Sequence, residues 1–455
     1  MSLVLILAVL ILFIVLSTIW LKLHPFLALL AAAFLGGFAY GVPGGETVKA
    51  IASGFGGILG SIGIVIVLGT IIGVILERSG AAITMAESVI KLLGERFPTL
   101  TLSIIGYLVS IPVFCDSGYV ILNSLKNALA ARMKVSVVAM SVALATGLYS
   151  THTFVPPTPG PIAAAGNLGL EASLGLVIAV GLLVAAVTSL AGLLWANRFL
   201  KQDDAELLEE APSELLAKDA DFAALRASYG RLPGAWQAFA PIFLPILLIC
   251  LGSVAALPGR PLGEGALYSA LSFLGLPVVA LIVGVLCACT LLKGEDKRQQ
   301  FHDQVVEGIK AAAPILLITG AGGAFGAVLK AAPLTDYLGQ QLSALGIGLF
   351  MPFLVSAALK TAQGSSTVSL VTTSAMVAPL LATLGLDSEM GRVLTVMAIG
   401  AGAMTVSHAN DSYFWVVSQF SRMKVSTAYR AQTAATLVQG VVGMAFVWLL
   451  GVILL

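Results

Sequence analysis

Charge is what this chain has least of: 10% of its residues are Asp, Glu, Lys or Arg, against about a quarter in soluble globular domains, and 58% are hydrophobic. A mean hydropathy of +1.00 excludes an ordinary soluble domain and points to an integral membrane protein. With a net charge of +1 and no basic cluster larger than three residues, nucleic acid is not expected as a partner. Cysteine is equally sparse. Cys115, Cys250, Cys287 and Cys289 all lie in apolar runs, so they read as small hydrophobes rather than disulfides. There is no G-x-x-x-x-G-K-[ST], no Cys/His spacing for zinc and no G-x-S-x-G elbow. The chain is therefore expected to be no enzyme and to hold no metal or cofactor, and energy coupling has to come from an ion gradient. The first apolar run lacks a basic leader, so it reads as a span rather than a cleavable signal.

What the chain does have is long hydrophobic runs. Crossing about 30 Å of hydrocarbon takes roughly 20 apolar residues. Uncharged runs of that order occur at 3–21, 23–45, 50–76, 97–115, 135–170, 172–197, 232–259, 265–292, 311–329, 337–359, 361–386 and 431–455. The expected fold is all-α and polytopic, with about 12 transmembrane segments, several of them broken or re-entrant.

Two stretches look hydrophilic, 199–231 and 293–310, and two spans separate them, so they share a side. Lys and Arg favour the cytoplasm, which places these stretches there together with the basic segments 77–96, 126–134 (Lys126, Arg132, Lys134) and 422–430. Both termini are then expected outside. This threading treats 97–115 and the segment after Asp116 as two passes, or as a span plus a re-entrant hairpin. One kinked helix there would instead put Lys126, Arg132 and Lys134 outside.

The chain divides into a transmembrane half over 1–198, a hydrophilic linker over 199–234 and a second half over 235–455. The halves resemble each other. The glycine-rich "IVLGTIIGVILERSG" (66–80) is matched by "LITGAGGAFGAVLKAAP" (317–333), and each precedes a polar break and then a histidine. The threading gives these spans opposite directions, so repeats over about 50–198 and 308–455 are expected to be inverted. That is the architecture of many secondary transporters, whose substrates bind near the midplane where the repeats meet.

Each half supplies two breaks, and irregular backbone at membrane depth has to be buried in protein or line a wet cavity. In "CDSGY" (115–119), Asp116 can hold a proton or start a helix over 119–132, with Ser117 and Gly118 at its amino end. In "STHTFVPPTPGP" (150–161), helix cannot continue through the prolines, so Thr151, His152 and Thr153 are expected to face a cavity. In "LKTAQGSSTVSL" (359–370), Gly364 permits close approach while Gln363, Ser365, Ser366 and Thr367 offer polar atoms to a substrate. Lys360 can pair with an anion or with Asp116, or snorkel to the cytoplasmic surface. In "VSHANDSYFWVVSQ" (406–419), His408 and Asp411 would share a helix face as a protonatable pair, beside Asn410. Trp415 and its neighbours could form an interfacial belt.

The segments "THTFVPPTPGP", "GSSTVSLVTTSAMVAPLL" and "SHANDSYFW", with the glycine-rich span before "ERSGAA", resemble the gluconate permease family of bacterial secondary transporters, over nearly the whole chain. The resemblance implies an inner-membrane proton symporter for gluconate or a related hydroxy acid, with inverted repeats and re-entrant hairpins, and leaves a homodimer open. Asp116 stands where the family usually has Glu, Thr158 where it has His, and Lys360 where it has Arg. These departures leave glycerate, another sugar acid or D-serine open as the substrate.

The expectation is therefore proton-coupled uptake of a small hydroxylated monocarboxylate, with sodium as the alternative ion and a passive anion channel as the alternative class. Substrate contacts are expected from Ser117, Gly118, Thr151, Thr153, Lys360, Gln363, Gly364, Ser365, Ser366, Thr367 and Asn410. Proton coupling is expected from Asp116, His152, His408 and Asp411.

Overall fold

With few charges and no water in the bilayer, each backbone N–H and C=O has to pair inside its own segment, which favours helix. The computed structural model describes residues 3–19, 21, 23–93, 97–209, 226–255, 265–293, 296–331, 348–408 and 411–455, and these are helical apart from turns and one isolated bridge between Leu208 and Met423. The first half contains α1 (Leu3–Ile19), α2 (Pro25–Ala39), α3 (Gly44–Ser79), α4 (Ala81–Leu93), α5 (Pro98–Val109), α6 (Cys115–Met133), α7 (Val137–Phe154), α8 (Pro159–Asn167) and α9 (Leu174–Ala196). The second contains α10 (Ala235–Ala255), α11 (Ala266–Leu274), α12 (Pro277–Cys289), α13 (Lys297–Ala331), α14 (Phe350–Gln363), α15 (Ser366–Val377), α16 (Glu389–Met404), α17 (Ser412–Phe420) and α18 (Ala434–Leu454).

The apolar runs resolve into two kinds of helix. Among the described residues five helices are long and apolar enough to cross a membrane, or seven if the bent pairs within 44–79 and 266–289 each count as one span. Others are half that length: α5 has 12 residues and α15 has 12. At 1.5 Å per residue each covers about 18 Å, well short of the hydrocarbon core. Neighbouring helices meet in pairs at breaks, α5 with α6, α7 with α8, α14 with α15 and α16 with α17.

One order of elements occurs twice. A long helix (α3, 36 residues; α13, 35 residues) is followed by a helical hairpin (α5–α6; α14–α15), a broken helix (α7–α8; α16–α17) and a closing helix (α9; α18). The long helices pack against each other through glycines: a methyl group on Gly54 would meet the Gly323 carbonyl, and one on Gly320 would meet the Phe55 ring. Because Gly54 lies against Gly323 while Arg78 pairs with Glu307 at 2.6 Å, the two helices run antiparallel. That ion pair is exposed on both sides and contributes little to stability.

Lys126 was expected in a basic loop. It is instead fully buried within α6, donating to Ser141 Oγ at 3.0 Å and Ser421 Oγ at 3.1 Å.

Candidate functional site

The break between α14 and α15 is the tightest of the four. Gly364 ends α14 with φ +86, a conformation that side chains resist, and its N–H returns to the Lys360 carbonyl. Ser365 then caps α15, its Oγ accepting from the Val368 N–H at 3.3 Å. Gly364→Ala should therefore lower stability by about 1–3 kcal/mol through backbone strain alone, measurable as a lower unfolding midpoint.

The break between α7 and α8 is narrower than the proline count suggests. Only 155–158 is non-helical, because Pro159 starts α8, where a helix lacks donors anyway. Opposite, α16 ends at Met404 and α17 starts at Ser412, capped by Asp411 Oδ1, which accepts from the Tyr413 N–H at 3.1 Å. Asp411 and His408 therefore do not share a helix face as expected: the described residues between α16 and α17, 405–408 and 411, are not helical.

The α5–α6, α14–α15 and α16–α17 breaks and the last turns of α7 line a cavity of about 260 Å³, walled by Asp116, Tyr149, His152, Ser365–Thr367, Asp411 and Ser412, and by Pro314 on α13. At about 30 Å³ per water it has room for roughly nine. Lys360 lies beneath it and is fully buried, so it does not snorkel. Its Nζ donates to Asp411 Oδ2 at 2.6 Å and to the Gly364 carbonyl, and sits 5.7 Å from the Tyr149 ring centre. The expected partners for Lys360, Asp116 or a substrate anion, are thus displaced by Asp411. Ser407 Oγ also donates to Asp411. One carboxylate thereby ties the α14–α15 tip to the amino end of α17.

Asp116 is in the first turn of α6, which starts at Cys115, four residues before the expected start; it is not the cap residue. Its nearest described partners are weak. Ser412 Oγ lies 3.4 Å from Oδ1 and Cys115 Sγ 3.9 Å from Oδ2, and no described cation is within ion-pair distance. His152 is 4% exposed, between the Tyr149 ring at 6.5 Å and the Phe114 ring at 5.8 Å, and its Nδ1 has no hydrogen-bond partner. A buried polar atom without a partner, on a cavity wall, is what a bound group would complete.

Several expected contacts fall elsewhere. Thr151 donates to the Tyr107 carbonyl at 2.9 Å and Thr153 to that of Tyr149 at 3.0 Å; both are fully buried and neither lines the cavity. β-Branched hydroxyls in a helix bond back to its own carbonyls or a neighbour's when no water competes. A methyl group on Gly118 would come within 2.8 Å of Leu148, so this glycine serves the packing of α6 on α7, and Ser117 is not among the residues that wall the cavity. His408 Nε2 meets the Thr361 carbonyl at 2.8 Å, away from the cavity wall. Asn410 and the side chain of Gln363 lie outside the described residues. Tyr149, Ser412, Tyr413 and Pro314 were missed. Tyr149 is one turn before His152 and so shares its face, and a proline inside a long apolar run was itself a signal.

The four cysteines are free. Among the described residues no group of His, Cys, Asp and Glu could hold a metal ion.

Comparison with known proteins extends this picture. Residues 1–453 match the profile described as GntP family permease. The chain is 39% identical to an uncharacterized permease of Haemophilus influenzae, over 90% of this chain and 83% of that one. It is 34% identical to the D-serine transporter DsdX of Escherichia coli (97% and 96%) and 32% identical to a gluconate permease of Pseudomonas aeruginosa (95% and 94%). In fold it is similar to the YdaH transporter of Alcanivorax borkumensis, with a TM-score of 0.68 at 16% identity, covering 95% of this chain and 99% of that one. The chain therefore belongs to the GntP permease family and is a multi-pass membrane transporter, not an enzyme.

Proposed function

We propose that the chain is a proton-coupled importer of a small hydroxylated monocarboxylate, of the gluconate kind, across the bacterial inner membrane. One observation carries this reading: Asp116, a carboxylate with no cation on it, shares a cavity of about 260 Å³ with the amino-terminal turn of α15. The free amides and positive end of that helix suit the substrate carboxylate. The unpartnered His152 Nδ1, Ser366 and Thr367 suit its hydroxyls. Asp116 can take up or release a proton without breaking an ion pair, whereas Asp411 cannot. The antiparallel long helices and the repeated element order support an inverted repeat, with the cavity where its halves meet.

A second reading concerns the substrate. Because Asp116 is unpaired and the D-serine transporter is among the relatives, a zwitterion could place its ammonium on Asp116 and its carboxylate on α15.

Uptake into liposomes separates these readings. Labelled gluconate should accumulate above equilibrium when the lumen is made alkaline and no sodium is present. Accumulation of D-serine instead would favour the zwitterion. Equilibration without accumulation would mean a passive channel, and a strict sodium requirement would overturn proton coupling.

A further inference from the structure

A second, larger chamber of about 600 Å³ lies further along the same helices. On α13 the central cavity touches Ala311, Pro314, Ile315 and Ile318, while the chamber touches Gly322, Gly323, Gly326 and Ala327. On α15 the corresponding steps are Val371 and Ala375. Four residues of helix span about 6 Å, so one helical turn separates the two spaces on both walls. The chamber lies toward the amino end of α3, since Gly54 and Gly57 line it, and away from the Arg78–Glu307 end beside the linker.

The partition is thin and polar. Asn167, the last residue of α8, donates through Nδ2 to the Val371 carbonyl at 3.1 Å and to Ser374 Oγ at 2.9 Å, and also lines the chamber. Glycine keeps the chamber open. A methyl group on Gly57 would meet nothing within 4 Å, and one on Gly326 would meet only the Ala375 carbonyl at 3.6 Å. Arg392 is the single cationic side chain among the lining residues, and it is held in place: Nε donates to the Asp387 carbonyl at 2.9 Å and Nη1 to that of Leu168 at 3.3 Å. Two acids, Glu171 and Asp387, share the wall.

We propose that this chamber is a second binding station on the transport path, one that receives a small organic carboxylate on Arg392 and hands it to the central cavity when the Asn167 bridge to α15 opens. A guanidinium already fixed by two carbonyls offers a carboxylate a preset fork. The nearby acids keep the hold weak, as a station that must release its ligand requires. The carboxylate ligand rests on the carrier reading above, but the path itself can be tested without any transported substrate.

Thr367, on the central cavity wall, is replaced by cysteine in the full-length chain with its four native cysteines removed, and Ala382→Cys reports on the exposed chamber wall. Intact cells are treated with a sulfonate-bearing methanethiosulfonate, or with its trimethylammonium counterpart. The charge rule makes the chamber side the outer face. Gly57→Leu, which adds a bulky side chain at a chamber-lining position where a Cβ would meet nothing within 4 Å, should slow labelling at 367 at least tenfold. Asn167→Ala should speed it at least fivefold. Arg392→Gln should slow the anionic reagent about threefold, as the loss of one unit charge several ångströms away does in water, and should speed the cationic one by a similar factor. A single symmetric peak on size-exclusion chromatography and an unchanged unfolding midpoint show that the Gly57 and Asn167 variants remain folded. The proposal is overturned if labelling at 367 ignores Gly57→Leu and Asn167→Ala, if both reagents respond alike to Arg392→Gln, or if the reagent reaches 382 only from the linker side. Failure of gluconate and D-serine uptake with these labelling effects intact would count against the substrate reading and leave the path standing.

Discussion

Lys360→Met is expected to abolish transport and to lower stability by about 3–5 kcal/mol, the cost of leaving one member of a buried ion pair unmatched. The cost is large here because Asp411, left behind, is 4% exposed and has only Ser407, the Tyr413 N–H and the water of the small cavity to replace the ammonium. The Gly364 carbonyl at the hairpin tip would lose its donor as well. Lys360→Met combined with Asp411→Asn should recover most of the stability, since neither charge is stranded and asparagine still caps α17. Transport should stay absent, because the tip is no longer tied to α17. Thermal unfolding of the purified single and double variants checks this. Additive losses would show that the pair is not the reason for the buried lysine.

Asp116→Asn should reduce uphill accumulation on an imposed pH gradient at least tenfold, while exchange of labelled for unlabelled substrate continues. Asparagine matches aspartate in size and can still meet Ser412, so the cavity keeps its shape and loses only the group proposed to gain and lose a proton. Exchange needs the site to move loaded in both directions and needs no net proton movement, so it should survive. Parallel uptake and exchange in the same liposomes make the comparison. Unchanged accumulation would leave Asp116 as an electrostatic aid to the first turn of α6.

The fold and the site were legible in the sequence to different degrees. Hydropathy marked the helices, and glycine and proline marked the breaks, because a bilayer penalises unpaired backbone whatever the tertiary context. Gly364 and the hydroxyl residues after it were readable as a break from local chemistry. What could not be read was the direction in which a hydroxyl or a charge points once a helix is packed on several sides. Thr151 and Thr153 stand in a polar break, yet bond to carbonyls of α5 and α7. His408 and Asp411 looked like one helix face because the break between α16 and α17 carries no proline to announce it. Lys126, beside other basic residues, looked like a loop, although three-dimensional neighbours from α7 and the turn after α17 solvate it. Lys360 found Asp411 rather than Asp116, a choice between two acids that sequence distance cannot make.

The Lys360–Asp411 pair has an electrical consequence. Since the two charges cancel, the central site of the proposed proton-coupled carrier would hold only the charge of Asp116: one negative charge when empty, and again one with Asp116 protonated and a monocarboxylate bound. On that proposal the loaded and empty site would cross the membrane with the same charge. A potential of 100 mV is worth about 2.3 kcal/mol per elementary charge, but the outward and return movements cancel it. A carrier built this way draws on acidity and leaves the cell's voltage untouched.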